Sequence, residues 1–161
     1  MRRHCLAPFA LALTTFLFSC GGDRSEAFYP SLADAGKTDA ITHGWIPDEL
    51  LPHSARNIHE VHELSPSKQW CSFDFLPTEW QLPNKDFKTI DALPASLTHI
   101  PNPGVSWWPN VLRGRLDVDE IHKHGLTLYL VERPATSVTT EVLLFAIDRA
   151  TGRAFFYRTE R

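Results

Sequence analysis

Apolar and polar positions alternate with the period of a β-strand in several segments of the chain. Residues 69–75 alternate most regularly, and residues 126–133 and 140–148 are rich in Leu, Val, Tyr and Phe. The run at 140–148 is apolar enough to predict a central strand that is buried on both faces. A glycine-containing turn over 148–153 then predicts a hairpin that leads to a last strand at 154–159.

A further strand is predicted less directly from residues 58–64. Ile58, Val61 and Leu64 recur at every third position, which fits neither a strand nor a helix cleanly. We predict a strand because a proline-containing turn connects this segment to the regular strand at 69–75. Together with a few short helices, about five mostly antiparallel strands predict an α+β fold.

Helices are predicted at two places where a capping residue precedes apolar positions. Ser31 and Asp34 have the spacing of a helix N-cap, which predicts a helix over residues 31–42. Asp117 predicts a second, short helix that ends at Gly125.

Prolines restrict the middle of the chain. Six prolines lie between residues 76 and 109, and this density is incompatible with a long helix or strand. We therefore expect no more than short helical turns near residues 86–93 and 109–113.

The N-terminus has the order of parts that an export signal requires. Arg2 and Arg3 form a positive start, and the uncharged, apolar stretch Leu6 to Phe18 follows. This stretch is too short to cross a bilayer, which needs about 20 apolar residues. It ends in Leu17-Phe18-Ser19-Cys20, which resembles a bacterial lipobox and implies diacylglycerol on the Cys20 thiol, cleavage before Cys20 and acylation of the new N-terminus.

The lipobox divides the chain into three parts. Residues 1–19 are predicted to be a lipoprotein signal peptide, residues 20–27 a lipidated tether, and residues 28–161 a single globular domain. The expected location is a membrane of the bacterial cell envelope. In a Gram-negative host we expect the periplasmic side of the outer membrane, because Gly rather than Asp follows Cys20.

Charge narrows the range of partners. The formal net charge of the chain is −3, and loss of the two leader arginines makes the mature protein more acidic. Lysine and arginine do not cluster, which argues against nucleic-acid binding and against electrostatic adhesion to anionic lipid. The membrane is therefore expected to be contacted through the lipid on Cys20.

Several closely spaced histidines and acidic residues are candidate metal ligands. His59 and His62 lie three positions apart, not four as in a zincin helix, and on a strand they would point to opposite faces. His122 and His124 lie at the end of the predicted short helix, where a cationic side chain has an ordinary electrostatic role. The Asp117-Val118-Asp119 segment lacks the later ligands of a calcium loop. No metal or cofactor is predicted.

No nucleophile elbow, phosphate-binding loop or dinucleotide fingerprint occurs in the sequence. Cys71 belongs to the apolar row of its strand, which predicts a buried and inert thiol. Trp107 and Trp108 lie side by side in a proline-bounded loop. They either contact a partner, as tryptophan often does at interfaces, or fold back over the core together with Trp45 and Trp80.

Several segments make the mature chain similar to a family of small uncharacterised bacterial lipoproteins. The matching segments are GWIP at 44–47, LPxSAxxI at 51–58, WWPxxL at 107–112 and LFAIDxxxGRAFFY at 144–157. The resemblance implies one intact domain. It implies no catalytic or ligand-binding residue.

The sequence leads to one main hypothesis, a membrane-anchored, non-enzymatic interaction domain in the envelope that contacts another protein or envelope component. The alternative is a small hydrolase or ligand-binding domain whose site is assembled only in three dimensions. Its candidate residues are His43, His53, Asp74 and His99. A purely structural envelope protein is the third option.

Overall fold

A computed structural model of the chain describes residues 23–47, 50–80, 87–95 and 97–161. The predicted signal peptide and Cys20 lie outside the described residues. No helix among the described residues is long and apolar enough to cross a membrane.

The described residues form nine strands and two short α-helices. The strands are β1 (Arg24–Ser31), β2 (Arg56–Leu64), β3 (Ser67–Asp74), β4 (Lys88–Thr89), β5 (His99–Ile100), β6 (Gly114–Arg115), β7 (Thr127–Pro134), β8 (Thr140–Asp148) and β9 (Arg153–Glu160). The helices are α1 (Leu32–Ala35) and α2 (Val118–Lys123). Single 3-10 turns lie at Pro77–Glu79 and Asn110–Leu112.

Seven of the strands form one antiparallel sheet in the order β1-β2-β3-β9-β8-β7-β4, and β5 pairs with β6 in a separate ribbon. Two meanders, β1-β2-β3 and β7-β8-β9, therefore meet along the β3–β9 pair. This pair places Cys71 opposite Phe156 and Trp70 opposite Tyr157. The meeting of the two meanders brings residues from distant parts of the chain onto the same faces of the sheet.

Both faces of the sheet are covered. We call the face that carries Phe73 and Phe145 face A, and the face that carries Trp70 and Leu144 face B. Face A packs against α1 and the segments that surround Ile46 and Trp80, whereas face B packs against the long segment from residue 97 to α2. Along β8, consecutive side chains belong to the two cores in turn, which confirms the prediction of a central strand buried on both faces.

The predicted α+β class is wrong, because the fold is mostly β. The two helices contain four and six residues. The helical turn expected near 86–93 is also wrong over residues 88–89, which pair with β7 as strand β4. In addition, residues 24–27, predicted to be part of the tether, lie in the edge strand β1.

The predicted N-caps are confirmed, although the first helix is much shorter than expected. The Ser31 hydroxyl accepts a hydrogen bond from the Asp34 amide at 3.2 Å, but α1 ends at Ala35 instead of residue 42. The Thr38 hydroxyl donates to the Ala35 carbonyl at 2.7 Å and so satisfies the end of the helix early. Asp117 accepts from the Glu120 amide at 3.1 Å and caps α2 as predicted.

Candidate functional site

The two adjacent tryptophans have different environments. Trp108 is 1% exposed and belongs to the core of face B, where its indole nitrogen donates to the Leu112 carbonyl at 3.1 Å. Its ring meets Phe155 edge-on at 5.9 Å between ring centroids. Trp107 is half-buried beside this core, and its indole N–H has no hydrogen-bond partner among the described residues. Of the two rings, only Trp107 remains accessible to a partner.

A row of aromatic rings extends from Trp107 across face B to the edge of the sheet. The Trp107 ring stacks against His59 at a centroid distance of 5.6 Å, and His59 packs against Phe28 at 4.7 Å. Phe28 lies on the edge strand β1 and is 52% exposed. Trp107 and His59 line a depression on face B, and Phe28 continues the row beyond it to the edge of the sheet.

This depression consists of two adjoining cavities of about 500 and 230 Å³, and we call it the aromatic groove. The two cavities share Asp74, Arg153 and Phe155. The Arg153 guanidinium donates to the Asp74 carboxylate at 2.8 Å, and Asn57 donates to its other oxygen at 2.9 Å. Burial alone would raise the pKa of Asp74, but these two hydrogen bonds outweigh it and the pKa lies below its ordinary value. Asp74 is therefore a carboxylate at neutral pH.

A second site lies on face A, where β2 turns polar side chains inward. Glu60 and His62 follow Ile58 on this face because alternate residues of a strand share a side. Glu60 is fully buried, and its carboxyl oxygen lies 2.8 Å from Nδ1 of His62. His59 points to face B instead, so the prediction that the two strand histidines point to opposite faces is confirmed.

Burial controls the ionisation of this pair. It raises the pKa of Glu60 from 4.5 to about 8, and the nearby charge of Glu26 acts in the same direction. Burial also lowers the pKa of His62, with a further contribution from His43. At neutral pH we therefore assign a protonated Glu60 that donates to Nδ1 of a neutral His62, so that Nε2 of His62 carries the ring proton.

Aromatic stacking and a cavity surround the pair. Trp45 stacks between His43 and His62, with ring centroids 4.6 Å and 4.0 Å apart. The adjoining cavity of about 140 Å³, which we call the histidine cavity, also contains Gln69 and Arg158 in its wall. Arg158 donates to the Gly44 carbonyl at 3.1 Å and lies 3.0 Å from the Glu141 carboxylate.

The residues of the predicted hydrolase or ligand site do not converge. His43 lines the histidine cavity on face A, whereas Asp74 lies in the aromatic groove on face B. His53 and His99 are exposed, and neither lines either site. In the part of the chain that the structure describes, no three His, Cys, Asp or Glu side chains are close enough to hold a metal ion.

The prediction that Cys71 carries a buried thiol is confirmed. Cys71 is fully buried on face A, and burial raises the pKa of its thiol well above the ordinary value, with the nearby Glu60 as a smaller cause. A thiol in this state is neither nucleophilic nor accessible.

The comparison with protein families gives a partial similarity. Residues 23–74, about a third of the chain, match the family model of the YbbD head domain. The matched segment contains strands β1 to β3 and most of the histidine cavity, but neither Arg158 nor Trp107. This similarity suggests an envelope-associated protein and assigns no specific activity. No curated protein and no solved structure matches the chain.

Proposed function

We propose that the chain is a lipid-anchored, non-enzymatic binding domain of the bacterial envelope, which contacts a partner protein through the aromatic groove. The observation that carries this proposal is the position of Trp107, half-buried at the wall of the groove with its indole N–H unpaired. The indole N–H is buried and has no partner among the described residues, so a rotation that brings it to a partner protein breaks no hydrogen bond seen there.

The chemistry of the groove supports a protein partner. Tryptophan and arginine are the side chains that most often dominate the binding energy of protein interfaces. Trp107 and Arg153 line the same cavity, and the exposed ring of Phe28 extends the apolar surface. The Arg153–Asp74 pair supplies one cation and one anion in fixed positions, which favours a partner with its own paired charges.

The anchor is tested by replacing the lipidated residue. Cys20→Ser removes the only thiol in the lipobox, so the protein is expected to move from the membrane fraction to the aqueous fraction after cell lysis. Immunoblots of carbonate-washed membranes give the measurement. Cys5→Ser, the same change within the leader, is the matched control and is expected to leave the protein in the membrane. Retention of the Cys20→Ser protein would contradict the anchor.

The partner surface is tested by photo-crosslinking in living cells. A photoreactive amino acid at position 107 is expected to give a discrete protein adduct, whereas the same amino acid at Val138, which is 87% exposed in the β7–β8 turn, is not. Arg153→Gln is expected to remove the adduct, and Arg115→Gln, on the separate ribbon, to leave it. Equal labelling at positions 107 and 138, or an adduct insensitive to Arg153→Gln, would refute the groove as the binding surface.

A further inference from the structure

The histidine cavity lies at the end of the sheet where the chain enters the fold. Strand β1 begins at Arg24, and its first residues pair with the end of β2, with Arg24 opposite Glu63 and Ser25 opposite His62. His62 and Glu63 both line the cavity. Cys20 precedes Arg24 by four residues, a length of chain that spans at most about 14 Å when fully extended.

Hydrogen-bond donors predominate in the cavity wall. Arg158 contributes a cation, and the hydroxyl of Ser67 and Nε2 of His62, which lie with it on face A, contribute neutral donors. Lys68 and Glu63 also border the cavity, but their side chains point to face B, where they form a long ion pair at 3.8 Å. This arrangement favours a ligand that accepts hydrogen bonds and carries negative charge.

A buried amide in the same wall lacks a partner. Gln69 is 4% exposed, and its side-chain nitrogen makes no hydrogen bond with the described residues. An unpaired buried donor destabilises the folded state, so folding alone does not account for an amide at this position. Rotation of the amide about its last bond exchanges its nitrogen and oxygen and lets the N–H2 group meet a ligand in the cavity.

Arg158 is already held in place. Its hydrogen bond to the Gly44 carbonyl and its ion pair with Glu141 fix the guanidinium before any ligand arrives. Trp45, clamped between His43 and His62, closes the opposite side. Preorganised donors of this kind bind an anion without a further ordering cost.

We propose that the histidine cavity is a binding site for a phosphate group, carried either by a membrane lipid headgroup or by a soluble phosphate compound. The lipid source has an additional argument, because Leu64 at the rim is 61% exposed and can meet the apolar part of a lipid. The phosphate site itself does not depend on the partner groove or on the anchor; only the lipid source rests on the proposed anchor.

The test uses the full-length chain, purified in a detergent that contains no phosphorus, and measures binding by ³¹P NMR line broadening. Inorganic phosphate is expected to bind saturably. Ser67→Ala and Gln69→Leu are each expected to weaken this binding about tenfold, the effect of losing one strong hydrogen bond. Lys88→Gln, an exposed lysine on β4, is the matched control and is expected to bind phosphate like the wild type.

Two further measurements separate the sources of the phosphate. Dihexanoyl phosphatidylglycerol is expected to displace inorganic phosphate if the site takes lipid headgroups, and dihexanoyl glycerol, which lacks phosphate, is the control. Displacement assigns the lipid source, whereas phosphate binding without displacement assigns a soluble one. Absence of saturable phosphate binding, or equal binding by wild type, Ser67→Ala and Gln69→Leu, would overturn the site. The Cys20→Ser protein is expected to bind phosphate normally, so failure of the anchor and failure of the site are distinguishable.

Discussion

Replacement of Trp108 by alanine is expected to lower the free energy of unfolding by about 3–5 kcal/mol, the usual cost of removing a buried tryptophan. The indole is enclosed by the face B core, meets Phe155 edge-on and donates to the Leu112 carbonyl. Its removal therefore leaves a large cavity and an unpaired buried carbonyl. The backbone carbonyl of Trp108 also accepts hydrogen bonds from the Arg113 side chain. The loop that surrounds the indole is therefore held together at the same residue.

Trp107→Ala is the matched control, since it removes the same side chain from the next position. Trp107 is half-buried and makes no internal hydrogen bond through its indole, so we expect a loss of only about 1 kcal/mol. Urea unfolding followed by far-UV circular dichroism gives both values on one scale. Trp108→Phe, which keeps part of the ring packing, is expected to fall between them. Equal losses for Trp107→Ala and Trp108→Ala would contradict the division of the pair into a core residue and a groove residue.

This difference matters for function as well as stability. If Trp107→Ala leaves the fold intact, then failure of that variant to co-purify with the partner that is crosslinked at position 107 reports on binding alone. The same failure in Trp108→Ala would carry no such meaning, because the loop that positions Trp107 would also be disturbed. The adjacent pair thus provides its own control for the proposed interface.

The strands near the C-terminus were predictable because each carries a strong local signal. Strand β8 lies between β7 and β9 and is covered on both faces, so its sequence is almost continuously apolar. Gly152 has a φ angle of +69°, and a Cβ there would lie 2.3 Å from the Phe75 carbonyl, so the hairpin turn requires glycine. Burial on both faces requires apolar residues in the strand, and the turn requires glycine. Both requirements are therefore visible in the local sequence.

Strand β1 and the mostly-β class were missed because their causes are not local. Residues at the start of β1 are polar and exposed, and the strand is held by pairing with β2 along one edge only. Such a strand has no alternating pattern, since neither of its sides is fully buried. Conversely, the Ser31 cap was read correctly, but a cap fixes where a helix begins and not how far it extends.

The histidine cavity could not be assembled from the sequence for a related reason. Its elements lie far apart in the chain, and the hydrogen bond from Arg158 to Gly44 spans 114 positions. Glu60 and His62 gave a usable signal, because a strand at 58–64 must turn either the even or the odd positions inward. Because β2 is covered on both faces, an even position, 58, and an odd position, 61, are both apolar. The sequence therefore does not show which set of positions faces which core.

The stability of the protein is expected to fall as the pH rises from about 6.5 to 8, because of Glu60. The pKa of Glu60 is about 8 in the folded protein and close to 4.5 in the unfolded chain, so between these values only the folded state holds the proton. Folding is therefore favoured by Glu60 at low pH, and this contribution is lost as the pH approaches 8. Below pH 6.5 the lowered pKa of His62 acts in the opposite direction, since the unfolded histidine then binds the extra proton.

Glu60→Gln isolates this effect. Glutamine has nearly the shape of the protonated acid and can donate to Nδ1 of His62, but it never becomes charged. We expect the variant to gain up to about 2 kcal/mol relative to the wild type between pH 6.5 and pH 8, at a slope of no more than about 1.4 kcal/mol per pH unit. Urea unfolding at closely spaced pH values measures the difference, and subtraction removes the titration of all other groups common to both proteins. The same substitution at Glu160, at the end of β9, should leave the slope unchanged. A stability difference that is constant over this range would show that Glu60 is ionised in the fold, and the donor assignment of His62 would then fail with it.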